Sequence, residues 1–366
     1  MLSKKSLKSK AKKVKKVKGI LNYIFVDGLS GMALGLFATL IIGTIFEQVA
    51  VLIPAPYNGY ILAVTTIAKS LTGAGIGAGV AFKYKASPLV GVSAAVAGLV
   101  GAFSSGIIAG SEISLTAGKP GDPLAAFVAA FCAVQVGSLI SGKTKLDIIL
   151  TPAVSIAAGS LAGILIGPPA SKLTSYIGEA ISWGMERQPF VMGIVVSVIM
   201  GICLTLPISS AAIGVMLTLT GIEAGAAVVG CCAQMVGFAV SSYRENKFGG
   251  LVAQGIGTSM IQMPNIVKHP QIWIPPTVAS AILGPISTVV LKMKCDMIGA
   301  GMGTSGLVGP LRTYAVMTEA GNSPAVVMIE ILVMYFIAPA LISLAVSEAM
   351  RKLKWIKFGD MKLDNN

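Results

Sequence analysis

Residues 123–142 read PLAAFVAAFCAVQVGSLISG, and residues 146–168 read LDIILTPAVSIAAGSLAGILIGP. Each stretch is about 20 residues long and almost wholly apolar, which is the length that a helix needs to cross a bilayer. The short basic segment Lys143–Lys145 separates them. Two apolar helices joined by a basic turn predict a polytopic α-helical membrane protein rather than a soluble domain.

The composition of the whole chain agrees with this interpretation. Of its 366 residues, 54% are hydrophobic and only 12% are charged, and the mean hydropathy is +0.82. Soluble domains carry about 25% charged residues, so this chain lacks the polar groups to cover a water-facing surface. Its 43 glycines suit close helix contacts in lipid, where small residues let backbones touch. The predicted fold class is all-α and membrane-embedded.

The net charge of +13 is concentrated in the two tails. Residues 1–18 contain nine lysines and no acidic residue, and residues 350–366 contain five basic and two acidic residues. Basic tails beside membrane spans predict that both termini are cytoplasmic and that they attract anionic lipid headgroups. We expect no nucleic-acid partner, because neither base-stacking aromatic residues nor a nucleic-acid-binding fold accompanies the lysines.

The apolar stretches of sufficient length predict about ten transmembrane helices. They cover residues 28–49, 59–82, 87–108, 123–142, 146–168, 190–206, 209–242, 248–263, 274–291 and 326–348. This scheme places the loops Lys83–Lys85 and Lys143–Lys145 on the side of the basic tails, and the loop Tyr243–Lys247 on the other side. The segments 207–222 and 295–312 are interpreted as broken or re-entrant, because a proline or many glycines interrupt them.

A weak internal repeat relates the two halves of the chain. It pairs Tyr84 with Tyr243 and Gly91 with Gly250, which is an offset of 159 residues. An odd number of spans in each copy predicts a 5+5 inverted repeat, as in many transporters, although chance matching of common glycines is the alternative. The predicted domains are a basic tail (1–20), a first membrane repeat (21–168), an amphipathic linker (169–189), a second membrane repeat (190–348) and a basic tail (349–366).

Two motif searches argue against common enzyme classes. Residues 137–144 read GSLISGKT and fit the phosphate-loop pattern, but that loop needs a preceding strand, and here apolar spans lie on both sides. The chain contains one histidine, His269, which excludes a histidine-rich metal site of its own, and the sequence shows no Ser-His-Asp set around it. We therefore expect no cofactor, no metal and no catalytic residue.

Polar side chains inside apolar stretches are the candidate site residues, because they are costly in lipid unless they are paired or have a role. Glu223 follows a helix break in LTGIEAGAA and is predicted to bind a ligand hydroxyl or to carry a coupling proton. The alternative is an acidic residue that stabilises a helix N-terminus. For Lys69, structural pairing or snorkelling is the favoured interpretation.

The segment Gln262–Pro270 (QMPNIVKHP) is a second candidate region. Its two prolines break the helix and free backbone carbonyl groups. Amides and an imidazole then lie close together, which suits a hydroxyl-rich ligand, whereas a simple external loop is the alternative. These side chains are Gln262, Asn265 and His269. Amides within apolar helices are further candidates, with Gln234 first and Gln135 and Gln254 second.

Four stretches carry a resemblance to a known family. They are FVDGLSGMALGLFATLIIGTIFEQ (25–48), NGYILAV (58–64), GKPGDPLAAFVAAF (118–131) and YRENKFGGLVAQGIGTSMIQMPNIVKHPQIWIPP (243–276). Together they resemble the second EIIC family of the bacterial phosphotransferase system, which includes the perfringolysin O regulator-like membrane proteins. Residues Gly221–Glu223 resemble a G-I-T-E motif without its Thr, whose Glu contacts sugar in related EIIC proteins. His269 would stand for the family's sugar-contacting histidine.

The resemblance implies a permease subunit of the bacterial inner membrane that binds and translocates a sugar. IIA and IIB partners would supply the phosphoryl group from phosphoenolpyruvate, so we expect no phosphorylation site in this chain. The site would lie at the midplane, with contacts from Glu223, Asn265, His269, Gln262 and Gln234. We also expect a homodimer. The alternatives are a membrane regulator of toxin or metabolic genes and an ion-coupled secondary transporter.

Overall fold

A computed structural model describes residue 19 and residues 22–51, 53–108, 110 and 121–363. Its regular secondary structure in these residues is helical, with one isolated antiparallel bridge between Gly221 and Cys295. Nearly all of the predicted basic tail 1–20 lies outside the described residues, as do residues 364–366 of the predicted tail 349–366.

The helices follow one another with short connections. The first half contains α1 (Val26–Ala50), α2 (Tyr57–Ser70), α3 (Thr72–Lys83), α4 (Pro88–Ala102), α5 (Ser104–Ile108), α6 (Pro123–Ile140) and α7 (Asp147–Met185). The second half contains α8 (Pro189–Thr205), α9 (Ser210–Met216), α10 (Gly221–Ser241), α11 (Tyr243–Val252), α12 (Met263–Lys268), α13 (Pro270–Leu291), α14 (Val308–Glu319) and α15 (Pro324–Lys352). The predicted amphipathic linker 169–189 continues α7 as helix as far as Met185.

The described residues contain six helices that are long and apolar enough to cross a membrane. They are α1, α6, the first part of α7 (Asp147–Gly167), α10, α13 and α15. The pair α2 and α3 makes a seventh if it is counted as one span with a bend of 57°. The predicted helical membrane fold is therefore confirmed, whereas the count of about ten spans is not.

Basic turns collect at one end of the helix bundle, which we name the lysine face. The Ser87 and Ser141 hydroxyl groups lie 2.8 Å apart, which brings together the basic loops after α3 and after α6. The C-terminal segment, residues 353–363, lies at the same end, because Leu363 lines a cavity together with Lys83 and Lys85. The end of the bundle away from these residues is the opposite face.

The loop Tyr243–Lys247 also lies on the lysine face, which corrects the prediction that placed it on the other side. Asn246 Nδ2 donates a hydrogen bond to the Met361 carbonyl oxygen of the C-terminal segment at 2.8 Å. The prediction was wrong because it counted α8 as a crossing. Thr205, the last residue of α8, lies beside Gln234 inside the bundle, and α9 then returns toward the opposite face.

Two further segments enter the bundle and return. From the lysine face, α11 leads into a π-helical turn, Ala253–Gly257, and a 3₁₀ turn, Ser259–Gln262, before α12 leads back. Thr258 between the two turns is fully extended, at φ −161° and ψ 143°, so the predicted span 248–263 is broken. From the opposite face, the glycine-rich stretch after Cys295 reaches the middle of the bundle before α14 leads back, and the predicted break in 295–312 is thereby observed.

Glycines set the closest helix contacts. A Cβ at Gly35 would overlap the Gly75 carbonyl oxygen, and a Cβ at Gly31 would lie 2.8 Å from the Gly79 carbonyl oxygen. Small residues thus allow α1 and α3 to pack backbone to backbone, as the glycine content predicts. The order of these two contacts also shows that α1 and α3 run antiparallel.

The corresponding pair in the second half runs parallel. Gly201 of α8 packs against Gly230 of α10, and Thr205 lies beside Gln234 four residues further along both helices. An offset of 159 residues would superpose α1 on α8 and α3 on α10, and an inverted repeat preserves relative direction within each copy. The predicted 5+5 repeat is therefore not confirmed.

Candidate functional site

The two glycine- and proline-interrupted segments meet in the middle of the bundle. The π-helical turn Ala253–Gly257, from the lysine face, contacts the turn Ser305–Leu307, from the opposite face. Gly303 packs against the backbone of Cys231, the central residue of α10. Irregular backbone at membrane depth is tolerated where protein buries it or where it lines a cavity. This meeting point is therefore the place to look for a ligand site.

A cluster of hydrogen-bonded side chains, which we name the central site, adjoins this meeting point. It consists of Thr205, Gln234, Ser259, Trp273 and Thr277. Gln234 Oε1 accepts a hydrogen bond from Trp273 Nε1 at 2.9 Å, and its Nε2 donates to Thr277 Oγ1 at 3.2 Å. The Thr205 and Ser259 hydroxyl groups lie 2.8 Å apart. Both ends of the buried Gln234 amide thus have partners, which fixes its orientation.

The tip of the opposite-face segment adds a buried hydroxyl group. Ser305 Oγ is buried, and no described residue makes a hydrogen bond with it. Gly306 and Leu307 follow with positive φ angles of 53° and 61°, which glycine adopts easily and leucine does not. Since an unpaired buried polar group costs about 1–3 kcal/mol, the Ser305 hydroxyl is a candidate ligand contact.

Gln262 and Asn265 belong to a separate set of contacts, the amide network, which holds the C-terminal segment. Gln262 Nε2 donates to Gln254 Oε1 at 2.9 Å and to the Met361 carbonyl oxygen at 3.0 Å. Asn265 Nδ2 donates to Gln262 Oε1 at 2.8 Å and to the Lys362 carbonyl oxygen at 2.9 Å. The C-terminal segment is not helical, so its carbonyl groups have no hydrogen bonds within a helix. These amides bond two of those carbonyl groups instead.

Glu245 and His269 add contacts to this segment, and Glu245 Oε1 accepts a hydrogen bond from the Gly359 backbone N–H at 3.4 Å. Arg351 Nη2 lies 2.9 Å from Glu245 Oε1, and the side chains are only 9% and 0% exposed. His269 Nε2 lies 3.6 Å from Asp360 Oδ1. Asn246 completes the attachment, because its Oδ1 accepts a hydrogen bond from the Leu363 backbone N–H at 2.9 Å.

Glu223 lies apart from these residues, in the first turn of α10 at the opposite face. It is half-buried, and its carboxylate makes no hydrogen bond or ion pair with the part of the chain that the structure describes. The helix start is held by the hydrogen bond from Cys295 N–H to the Gly221 carbonyl oxygen at 3.1 Å. At about 1.5 Å per residue, Glu223 is roughly 16 Å along the helix from Gln234.

A cavity of about 990 Å³ opens at the lysine face between α1, α3 and α11. Lys83 and Lys85 line it, and its walls are mostly apolar. It extends to Phe37 and to Ala253, the first residue of the π-helical turn that contacts the opposite-face tip. The cavity thus leads from the lysine face toward the middle of the bundle.

The structure brings three of the five predicted site residues together, around the C-terminal segment, and they are Gln262, Asn265 and His269. Gln234 lies in the adjoining central site, and Glu223 lies near the opposite face. Of the secondary amides, Gln254 joins the amide network and Gln135 bonds the Tyr23 hydroxyl at 3.1 Å. Lys69 pairs with Glu47 at 2.8 Å, which confirms its predicted structural role.

The sequence analysis missed Thr205, Ser259, Trp273 and Thr277. Hydroxyl side chains in apolar helices ordinarily bond to the preceding turn of their own helix, so they carry no signal of a site. The sequence does contain a signal for this site, which is the group of helix-breaking residues around Thr258. Gly255 and Gly257 precede Thr258, and Pro264 follows it.

Apolar helices that run between two faces, and broken segments that meet at buried polar groups between them, are typical of membrane transporters. The family described as the EIIC component of the phosphotransferase system matches residues 26–363, and the chain belongs to that family. It is the membrane permease subunit of a sugar phosphotransferase system, with a sugar as substrate and IIA and IIB components as partners. A comparison with curated proteins found no match.

Proposed function

We propose that the sugar binds at the central site, with Gln234 as its principal contact. The observation that carries this proposal is the meeting of two interrupted segments beside a buried cluster of amide and hydroxyl groups. Amides and hydroxyls both donate and accept hydrogen bonds, which matches the hydroxyl groups of a sugar. The unpartnered Ser305 hydroxyl supplies a further contact.

In this proposal Glu223 contacts the sugar on its path from the opposite face. Its half-buried carboxylate is free of protein hydrogen bonds in the described part of the chain, so it can accept hydrogen bonds from a passing sugar. The alternative assignment is a coupling proton carried by the same carboxylate.

Gln262, Asn265 and His269 contact the sugar only when the C-terminal segment has moved away. Their polar atoms are engaged by residues 360–362. We therefore assign them first to closing the lysine face, and second to contacts with a sugar that leaves through the cavity. Lys83 and Lys85 at the cavity suit a product that carries a phosphate.

The proposed topology has both termini in the cytoplasm of a bacterial cell and the chain in the inner membrane. Of the predicted apolar segments, those at 190–206 and 248–263 enter the bundle, and the chain then returns to the face from which each of them entered. Eight crossings remain, made by α1, the pair α2 and α3, α4, α6, α7, α10, α13 and α15. An even number keeps both basic tails on one side. A homodimer and anionic lipids at the basic tails complete the proposal.

Uptake by membrane vesicles tests the proposed sugar contact at Glu223. Vesicles supplied with IIA, IIB and phosphoenolpyruvate are offered a panel of labelled hexoses, amino sugars and hexitols. We expect Glu223→Gln to lower uptake about ten- to hundred-fold, which corresponds to a lost hydrogen bond to a charged group. Glu179→Gln, an exposed residue of α7, is the matched control. Equal uptake by the two variants would remove Glu223 from the site.

A further inference from the structure

A basic pocket lies on the lysine face beside the C-terminal segment. Its volume is about 420 Å³. The residues that line it are Arg244, Arg351, Lys354, Ile356, Lys357 and Phe358. Four cationic side chains around one pocket attract a multiply charged anion.

The acidic residues around the pocket neutralise only part of this charge. Arg244 pairs with Glu348 at 3.0 Å, and Arg351 pairs with Glu245. Lys354 and Lys357 are exposed, and their ammonium groups form no ion pair with any residue that the structure describes.

The one remaining carboxylate is that of Asp360. It accepts a hydrogen bond from the Lys357 backbone N–H at 2.8 Å and faces His269. Three carboxylates therefore face four cationic side chains, which leaves one net positive charge among the described residues.

Arg351 fixes part of this charge in place. Its Nη2 donates to Glu245 and to the Ser241 carbonyl oxygen at 3.0 Å, whereas its Nε is buried and has no partner among the described residues. The side chain is only 9% exposed, and these hydrogen bonds hold its guanidinium group against Glu245 and Ser241.

An apolar groove of about 400 Å³ adjoins the basic pocket. Val240, Leu251 and Leu344 form the apolar part of the groove, and the Arg244–Glu348 ion pair lines its edge, with Arg244 shared by both spaces. The aromatic side chains nearby, Tyr243, Trp355 and Phe358, are 45%, 59% and 76% exposed. Exposed aromatic residues beside lysines are typical of the boundary between a membrane and water.

We propose that the basic pocket and the apolar groove together bind one anionic phospholipid, with its phosphate in the pocket and an acyl chain in the groove. Phosphate chemistry is shared by lipid headgroups and by free sugar phosphates. The groove favours the lipid, because a soluble phosphate has nothing to place there. This inference rests on the proposed attraction of the basic face for anionic lipid, and it is independent of the sugar site.

Native mass spectrometry of the detergent-purified chain tests the site with phosphatidylglycerol, phosphatidylcholine and glycerol 3-phosphate. The double variant Lys354→Gln, Lys357→Gln removes two pocket charges, and Lys143→Gln, Lys145→Gln removes two exposed charges elsewhere on the lysine face. At about 1 kcal/mol per basic residue, the pocket variant should bind phosphatidylglycerol about thirty-fold more weakly. The control variant should bind it within about three-fold of the unaltered chain, because Lys143 and Lys145 do not line the pocket.

Three results would overturn the proposal. The first is an equal loss of phosphatidylglycerol binding in the two double variants. The second is binding of phosphatidylcholine as tight as that of phosphatidylglycerol. The third is displacement of phosphatidylglycerol by an equal concentration of glycerol 3-phosphate. Leu344→Ala should also weaken lipid binding, and no change would exclude the groove. Uptake of sugar by the lysine variants is measured separately, so failure of the lipid site and failure of the sugar site remain distinguishable.

Discussion

The Thr205 and Ser259 hydroxyl groups lie 2.8 Å apart, although 54 residues separate them in the chain. Thr205 ends a helix that enters from the opposite face, and Ser259 begins the 3₁₀ turn of a segment that enters from the lysine face. The contact therefore joins the inner ends of two segments that do not cross the bundle. A sugar bound at the proposed central site would lie beside this contact.

We expect Gln234→Leu to reduce sugar uptake strongly. The substitution keeps most of the side-chain volume but removes the bonds to Trp273 and Thr277. Loss of one neutral hydrogen bond to the sugar corresponds to about 1 kcal/mol, or roughly a five-fold rise in KM. Initial rates of vesicle uptake over a range of sugar concentrations measure this change.

Gln135→Leu is the matched control for this prediction. Gln135 is also an amide in an apolar helix, but it bonds Tyr23 near the lysine face rather than the central site. Its variant should keep the KM of the unaltered protein. If both variants raise KM equally, the effect comes from general loosening of the helices.

The amide network predicts that Asn246→Ala releases the C-terminal segment. Asn246 donates to the Met361 carbonyl oxygen and accepts from the Leu363 N–H, so its loss removes the partner of the Leu363 N–H and leaves the Met361 carbonyl oxygen with Gln262 alone. The destabilisation should be about 1–3 kcal/mol, and limited proteolysis should cut the segment faster.

Asn322→Ala provides the comparison, since Asn322 follows α14 and donates to the nearby Met317 carbonyl oxygen of that helix. Its proteolysis pattern at the C-terminus should stay that of the unaltered chain. A C-terminal segment that is cut equally fast in all three proteins would show that Asn246 does not hold it.

Close helix packing predicts that Gly230→Ala destabilises the protein. A Cβ there would overlap the Ser197 carbonyl oxygen, and backbone cannot move aside as a flexible side chain can. Overpacking of this kind costs about 1–3 kcal/mol. At Gly59 a Cβ would meet nothing within 4 Å, so Gly59→Ala should be neutral or slightly stabilising. Thermal unfolding in detergent checks both, and equal melting temperatures would contradict the assigned contact.

The arrangement of faces predicts which introduced cysteines react from the same side of the membrane. Cysteines at Lys85, Lys247 and Lys354 should be labelled together, and cysteines at Glu186 and Lys292 should be labelled from the other side. All of these positions are exposed, whereas four of the five native cysteines are buried. Labelling of position 247 from the side of Glu186 would restore the sequence-based topology and reject the return of α8.

The sequence alone sufficed for the membrane character of the chain and for the segments that are apolar enough to enter a bilayer. Length and hydropathy are local properties, so residues 123–142 and 146–168 predict their helices without reference to the rest of the chain. Lysine clustering likewise predicted that the loops at Lys83–Lys85 and Lys143–Lys145 share a face. The stretches that resemble EIIC proteins led to the family that the comparison confirmed.

Only the tertiary structure decided which apolar segments return and which polar groups face one another. Hydropathy measures the free energy of placing a residue in lipid. It carries no information about whether the chain then crosses the bilayer or turns back to the same face. The partners of Gln262 and Thr205 lie 99 and 54 residues away, beyond any spacing that a local pattern can express. Those partners exist because packing brings distant breaks in the helices to the same depth, where buried polar groups must bond one another.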